Sequence, residues 1–172
     1  ILKYGSDKPD LRNPLEISNV THVWQGTDLK IFAGAIDKGA VVRAIPATGA
    51  EARPRSFFDK LNDWARDEGA GGLGYIVFGD GGEAKGPIAR FLDDERMAQL
   101  KTTTGVGEGD AVFFACAPEA EAARFAGLAR TRIGEELELV DHDQFRFCWI
   151  VDYPMYEKDE VTGAIEFNHN PF

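Results

Sequence analysis

Between Ser56 and Gly69 the apolar residues Phe57, Phe58, Leu61, Trp64 and Ala65 fall at i, i+1, i+4, i+7 and i+8. That spacing makes one stripe on an amphipathic helix. Ser56 is a candidate N-cap, and Gly69 stands just past the end. A helix with so many rings on one face needs a second layer to bury them, and the rest of the chain has to provide it.

Short apolar runs bounded by turn residues read as that layer. Residues 29–35 and 41–45, separated by Asp37-Lys38-Gly39, read as a β-hairpin. Residues 73–78 form a strand with paired glycines on both sides, and residues 111–115 a buried strand opened by Gly107-Glu108-Gly109-Asp110. Ser18 can cap a short helix through Trp24, with Gly26 to end it. Residues 93–101 look helical, with Asp93, Asp94 and Glu95 at the positive end of the dipole. Pro118 suits the first turn of a helix whose apolar face is Ala122, Phe125, Ala126, Ala129 and Ile133, with Gly134 as its stop. The expected fold class is therefore α+β. Its architecture is a two-layer α/β sandwich, with a mixed or antiparallel sheet and helices on one face.

Composition removes several alternatives. With 12 Phe, 4 Tyr and 3 Trp in 172 residues, intrinsic disorder is excluded. Nineteen basic against twenty-nine acidic side chains leave a net charge of −10, which disfavours broad non-specific binding to nucleic acid. No run of eighteen apolar residues occurs, so no membrane partner is expected. The first residues lack the basic and apolar regions of a signal peptide, and the missing initial Met suggests a fragment or a processed chain. Cys116 and Cys148 sit in apolar runs and read as small buried hydrophobes. His22, His142 and His169 match no zinc spacing, so no metal site is expected. The expected compartment is the cytoplasm.

Candidate chemistry is sparse. The glycines from Gly69 to Gly74 end a helix and open a strand, the reverse of a dinucleotide loop, and those from Gly79 to Gly82 lack the Lys-Ser/Thr of a P-loop. Arg43, Arg53, Arg55 and Lys60 make a modest basic zone around Pro54 that reads best as solvated loop. The acidic cluster Glu157, Asp159 and Glu160 reads as a hairpin tip between residues 151–156 and 165–167. Physical reading of these residues yields a fold class and no activity.

Two longer strings carry a resemblance. Tyr4-Gly5-Ser6-Asp7-Lys8-Pro9-Asp10-Leu11-Arg12 and Cys148-Trp149-Ile150-Val151-Asp152-Tyr153-Pro154-Met155-Tyr156 closely resemble the segments bordering the insertion domain of bacterial aspartyl-tRNA synthetases. Asn168-His169-Asn170-Pro171-Phe172 resembles the start of that family's His-His-Pro-Phe-Thr-Ser-Pro stretch. The middle zone then resembles the GAD domain, shared with some tRNA-dependent amidotransferase subunits. The resemblance implies three parts: a catalytic-core flank over residues 1–14, a GAD insertion domain over 15–140, and a second core flank over 141–172. It also implies a parent class II synthetase, a homodimer that activates aspartate with ATP and Mg and transfers it to tRNA. Motifs 2 and 3 are expected before residue 1 and after residue 172, so the fragment itself has no catalytic residue and no cofactor of its own.

One site residue carries over. His169 matches the first His of the family's pair, which contacts the substrate aspartate, and Asn170 replaces the second. Asn at that position resembles enzymes that charge both tRNA-Asp and tRNA-Asn, so Asn170 is the candidate specificity position. The alternative is a stand-alone GAD module that binds tRNA or a protein, as in the amidotransferase subunits; the two flanking strings favour the synthetase. Excised, residues 147–153 would be an exposed strand edge, and trimming to residues 15–140 is expected to improve solubility.

Overall fold

The computed structural model describes residues 1–151, 155–159 and 162–167. The regular elements begin with β1 (Ser18–Asn19), α1 (Thr21–Trp24), α2 (Lys30–Ile36) and β2 (Val41–Ala47). They continue with α3 (Arg55–Asp67), β3 (Gly74–Phe78), β4 (Ala84–Lys85) and α4 (Asp94–Thr104), then β5 (Ala111–Ala117) and α5 (Glu119–Glu136). A separate hairpin, β6 (Tyr156–Lys158) and β7 (Ile165–Phe167), follows.

The first five strands form one antiparallel sheet in the order β1-β2-β5-β3-β4. β5 is central because its first five residues are all buried, and alternate ones face opposite sides. Phe113 lies opposite Ile45 and Tyr75, on the face covered by α3 and α5. Phe114 lies opposite Ala44 and Gly74, on the face covered by α1, α2 and α4. The α+β class and the antiparallel sheet are as expected. The helices, however, cover both faces rather than one. Runs such as Val112-Phe113-Phe114 already imply this, because a strand with one wet face alternates apolar with polar residues.

On the first face Phe58 stacks on Tyr75 and Phe113, with centroids 4.5 and 5.7 Å apart. Trp64 of α3 stacks on Phe125 of α5 at 5.8 Å. On the second, Trp24 sits edge-on to Phe32 and Phe114 at 5.0 and 5.1 Å. Such offset and edge-to-face pairs each add about 0.5–1.5 kcal/mol beyond their buried area.

Residues 29–35 do not form a strand. α2 replaces the first arm of the expected hairpin, and β2 pairs instead with β1 and β5. Leu29, Phe32 and Ile36, at i, i+3 and i+7, face the second core, and Ile31 points out at 79% exposure. Over seven residues, helix and strand periods are easily confused. Gly39, with φ +90°, is then a helix stop rather than a hairpin turn, its N–H donating to the Ile36 carbonyl.

Smaller differences follow the same logic. The first helix begins at Thr21, whose N–H and hydroxyl both donate to the Asn19 carboxamide, so Asn19 rather than Ser18 holds that start. α3 starts one residue before Ser56, with Pro54 at the cap position and no side-chain cap. α5 runs through Gly134 to Glu136, because that glycine is a packing site for Asn13. Of the expected acidic hairpin tip, Glu157 lies within β6 opposite Glu166, Asp159 follows the strand and accepts from the Thr162 N–H and hydroxyl, and Glu160 lies outside the described residues. Residues 148–151 carry no regular structure, so the strand is shorter than the aromatic run suggests.

Candidate functional site

His169 and Asn170 lie outside the described residues. His22, on the last turn of α1, and His142, beyond α5, are both exposed. The basic zone around Pro54 is taken apart. Arg43 is 4% exposed on β2 and pairs with Glu119 at 2.9 Å, while Arg53 donates to the Glu136 carbonyl and Arg55 pairs with Asp59. Cys116 is half-buried, and burial pushes its thiol pKa up; Cys148 is exposed, contrary to expectation. Among the described residues, no group of three or more His, Cys, Asp or Glu side chains could hold a metal ion. Nor is any helix among them long and apolar enough to cross a membrane.

Two constellations do come together. The first fixes residues 1–17 to α5. Arg130 is 2% exposed and donates through Nε to the Leu15 carbonyl and through Nη2 to the carbonyls of Asp10 and Asn13. Burial pushes its pKa down, and the Tyr4 ring lies 5.1 Å from the guanidinium. Asn13 returns a hydrogen bond of 2.9 Å to the Arg130 carbonyl. One turn earlier Gly5 and Gly127 meet backbone to backbone: a Cβ on Gly5 would lie 2.1 Å from the Gly127 Cα. Gly127, Arg130 and Gly134 follow at helical spacing, so one side of α5 forms a seat for the segment. At the segment's bend, the Arg12 side chain forks onto Asp10 and holds that carboxyl at about 2.

The second is a cleft of about 730 Å³ bounded by the turn Asp80–Gly82, β4, the turn Ala89–Phe91 and α4. Lys85, Arg90 and Lys101 line it with Glu83, Asp94 and Met97. Lys101 Nζ donates to the Gly82 carbonyl at 3.0 Å and lies 4.9 Å from the Phe78 ring centroid. The Arg90 guanidinium lies 4.9 Å from the Phe91 ring, and Lys85 Nζ is 3.1 Å from Glu83. Sequence reading passed over these three cations. They sit on separate elements, five and eleven residues apart, and only folding brings them to one cleft.

The architecture is that of an α+β domain with a five-stranded antiparallel sheet covered on both faces. Residues 32–126 match the model of the GAD domain family, and the chain belongs to that family. Over all 172 residues it is 60% identical to the aspartate–tRNA(Asp/Asn) ligase of Paramagnetospirillum magneticum and 59% identical to that of Acidiphilium cryptum. It is 56% identical to the ligase of the same name from Rickettsia felis. The whole chain is covered in each comparison, but it spans only 20% of the first relative and 29% of the other two.

Proposed function

We propose that this chain is part of an aspartate–tRNA ligase that uses ATP and Mg to activate aspartate and attaches it to tRNA-Asp and also to tRNA-Asn. The supporting observation is the 56–60% identity, unbroken over 172 residues, to three proteins that carry that name. Residues 1–14 and 141–172 are, in this reading, flanks of the catalytic core, and the domain between them is an insertion without chemistry of its own. ATP and Mg are held by parts of the polypeptide other than the residues described. The enzyme is a cytoplasmic homodimer whose partners are aspartate and tRNA.

His169 contacts the substrate aspartate, and Asn170 governs which tRNA is accepted. The test is aspartylation of purified tRNA-Asp and tRNA-Asn transcripts by the full-length enzyme. Both should be charged. His169→Ala should raise the KM for aspartate by about tenfold or more, as expected for loss of a hydrogen bond to a charged group worth about 1.5–3 kcal/mol. Asn170→His should lower charging of tRNA-Asn more than that of tRNA-Asp. An enzyme that charges neither transcript would remove the reading.

A further inference from the structure

The cleft beneath β4 gathers cations from three elements of a chain whose net charge is −10. We propose that this cleft holds the phosphodiester backbone of tRNA, a site that rests on the ligase reading above. Arg90 is exposed, its guanidinium lies near the Phe91 ring, and no carboxylate is bonded to it among the described residues. Its planar fork suits phosphate oxygens. Lys101 gives one hydrogen bond to the Gly82 carbonyl, which leaves two of its three donors for a ligand.

Gly82 leaves room for that ammonium, since a Cβ there would lie 3.2 Å from Lys101 Nζ. Lys85 is paired with Glu83, but both side chains are more than 60% exposed. An exposed pair of this kind contributes only about 0–1 kcal/mol, so a phosphate can take the carboxylate's place. Glu83 and Asp94 leave the lining one positive charge in excess, 3 − 2 = 1. The chain as a whole repels a polyanion, so local groups of cations such as this one are where a phosphate backbone is held. Cations on three elements along an open cleft fit a run of phosphates better than a single small anion.

The experiment uses the full-length enzyme and compares Lys85→Glu/Arg90→Glu with the charge-matched control Arg55→Glu/Lys60→Glu. Arg55 and Lys60 are exposed on α3, across the sheet. The cleft variant should raise the KM for tRNA-Asp by about tenfold and lower the salt dependence of tRNA binding by roughly 1–2 in log–log slope, while the control changes neither. Equal behaviour of the two variants would overturn the proposal. In the unaltered enzyme, bound tRNA should also protect Lys85 and Lys101 from acetylation, a readout that needs no variant. Protection by inorganic phosphate to the same degree as by tRNA would make this a small-anion site and overturn the RNA assignment. Absence of aspartate-dependent ATP–pyrophosphate exchange in the unaltered enzyme would instead remove the ligase reading.

Discussion

Residues 1–17 run along α5 and give their carbonyls to a buried arginine, whereas residues 145–151 leave Phe145, Phe147 and Trp149 between 88% and 94% exposed. The first segment is polar in sequence and only partly exposed, with Asn13, Leu15 and Ile17 buried at 4%, 3% and 5% exposure. The second is aromatic in sequence and ends in solvent. Composition alone would have ranked them the other way. What decides is whether the domain offers a complementary surface: α5 carries Gly127, Arg130 and Gly134 along one line, and among the described residues nothing comparable faces the aromatic run. An exposed apolar run of that size marks a surface that a partner covers. In the proposed ligase the cover is the remainder of the polypeptide.

The largest expected effect comes from cutting the clamp. Arg130→Ala leaves three carbonyls without their donor and opens a hole beneath Tyr4. A loss of about 2–4 kcal/mol is expected, a fall in Tm of roughly 5–15 °C. Arg130→Lys should recover only part of it, since an ammonium cannot fork across three carbonyls. Calorimetry on the 172-residue chain checks both. A fall within the range of an ordinary surface change, about 0.5 kcal/mol, would mean the segment is laid on the domain without being tied to it.

Gly127→Ala probes the same seat more gently. The new Cβ would lie 2.6 Å from the Gly5 carbonyl oxygen, so one backbone must move. The cost is expected at about 1–3 kcal/mol, with limited proteolysis appearing first among residues 1–14. Cleavage that appears first beyond α5 instead would show that the strain is absorbed elsewhere.

Trimming sharpens the contrast. A chain ending at residue 140 keeps Leu137 and Leu139, which pack on the first core, and loses the exposed aromatics. Its stability should stay within about 0.5 kcal/mol of the starting chain, with less self-association by light scattering. A chain beginning at residue 15 should instead lose about 1–3 kcal/mol, since it keeps the Leu15 carbonyl but gives up those of Asp10 and Asn13. The solubility gain expected from trimming to 15–140 therefore belongs to one end only. If both trimmed chains melt alike, the two ends do not differ as described.

Strands β3 and β5 were legible because they are unbroken apolar runs beside glycines, and helices α3, α4 and α5 because their stripes or caps span several turns; the two-residue strands β1 and β4 hold too few residues to show a pattern. The same unbroken runs should have signalled two covered faces. α2 was misread because seven residues hold too few turns for a period to show. The N-terminal seat was not legible. It depends on carbonyls that any sequence has and on an arginine 115 residues from Leu15, which looks in sequence like one more solvated charge. The cations of the β4 cleft were hidden for the same reason. The candidate aspartate contact at His169 came from resemblance alone, since one histidine between two asparagines has no spacing from which chemistry could be read.

The smallest effect concerns Asp10, whose carboxyl orders the bend of the clamped segment. The hydrogen bond from the Arg12 side chain is the main cause that holds it at about 2, with the Arg12 backbone N–H and nearby charges adding to it. In the unfolded chain the group returns to an ordinary value of about 3.9. The folded value is the lower one, so the folded state is favoured by the ionised carboxylate. That contribution is whole above pH ~4 and lost as the pH falls through about 2. Because the Asp10 side chain is 45% exposed, solvent screening keeps it near the low end of about 0–1 kcal/mol. Melting curves of the unaltered chain and Asp10→Asn should therefore differ slightly near neutrality and converge toward pH ~2, with added salt narrowing the gap throughout. A gap that persists at the acid end would place the role of Asp10 in the geometry of its carbonyl on Arg130 rather than in its charge.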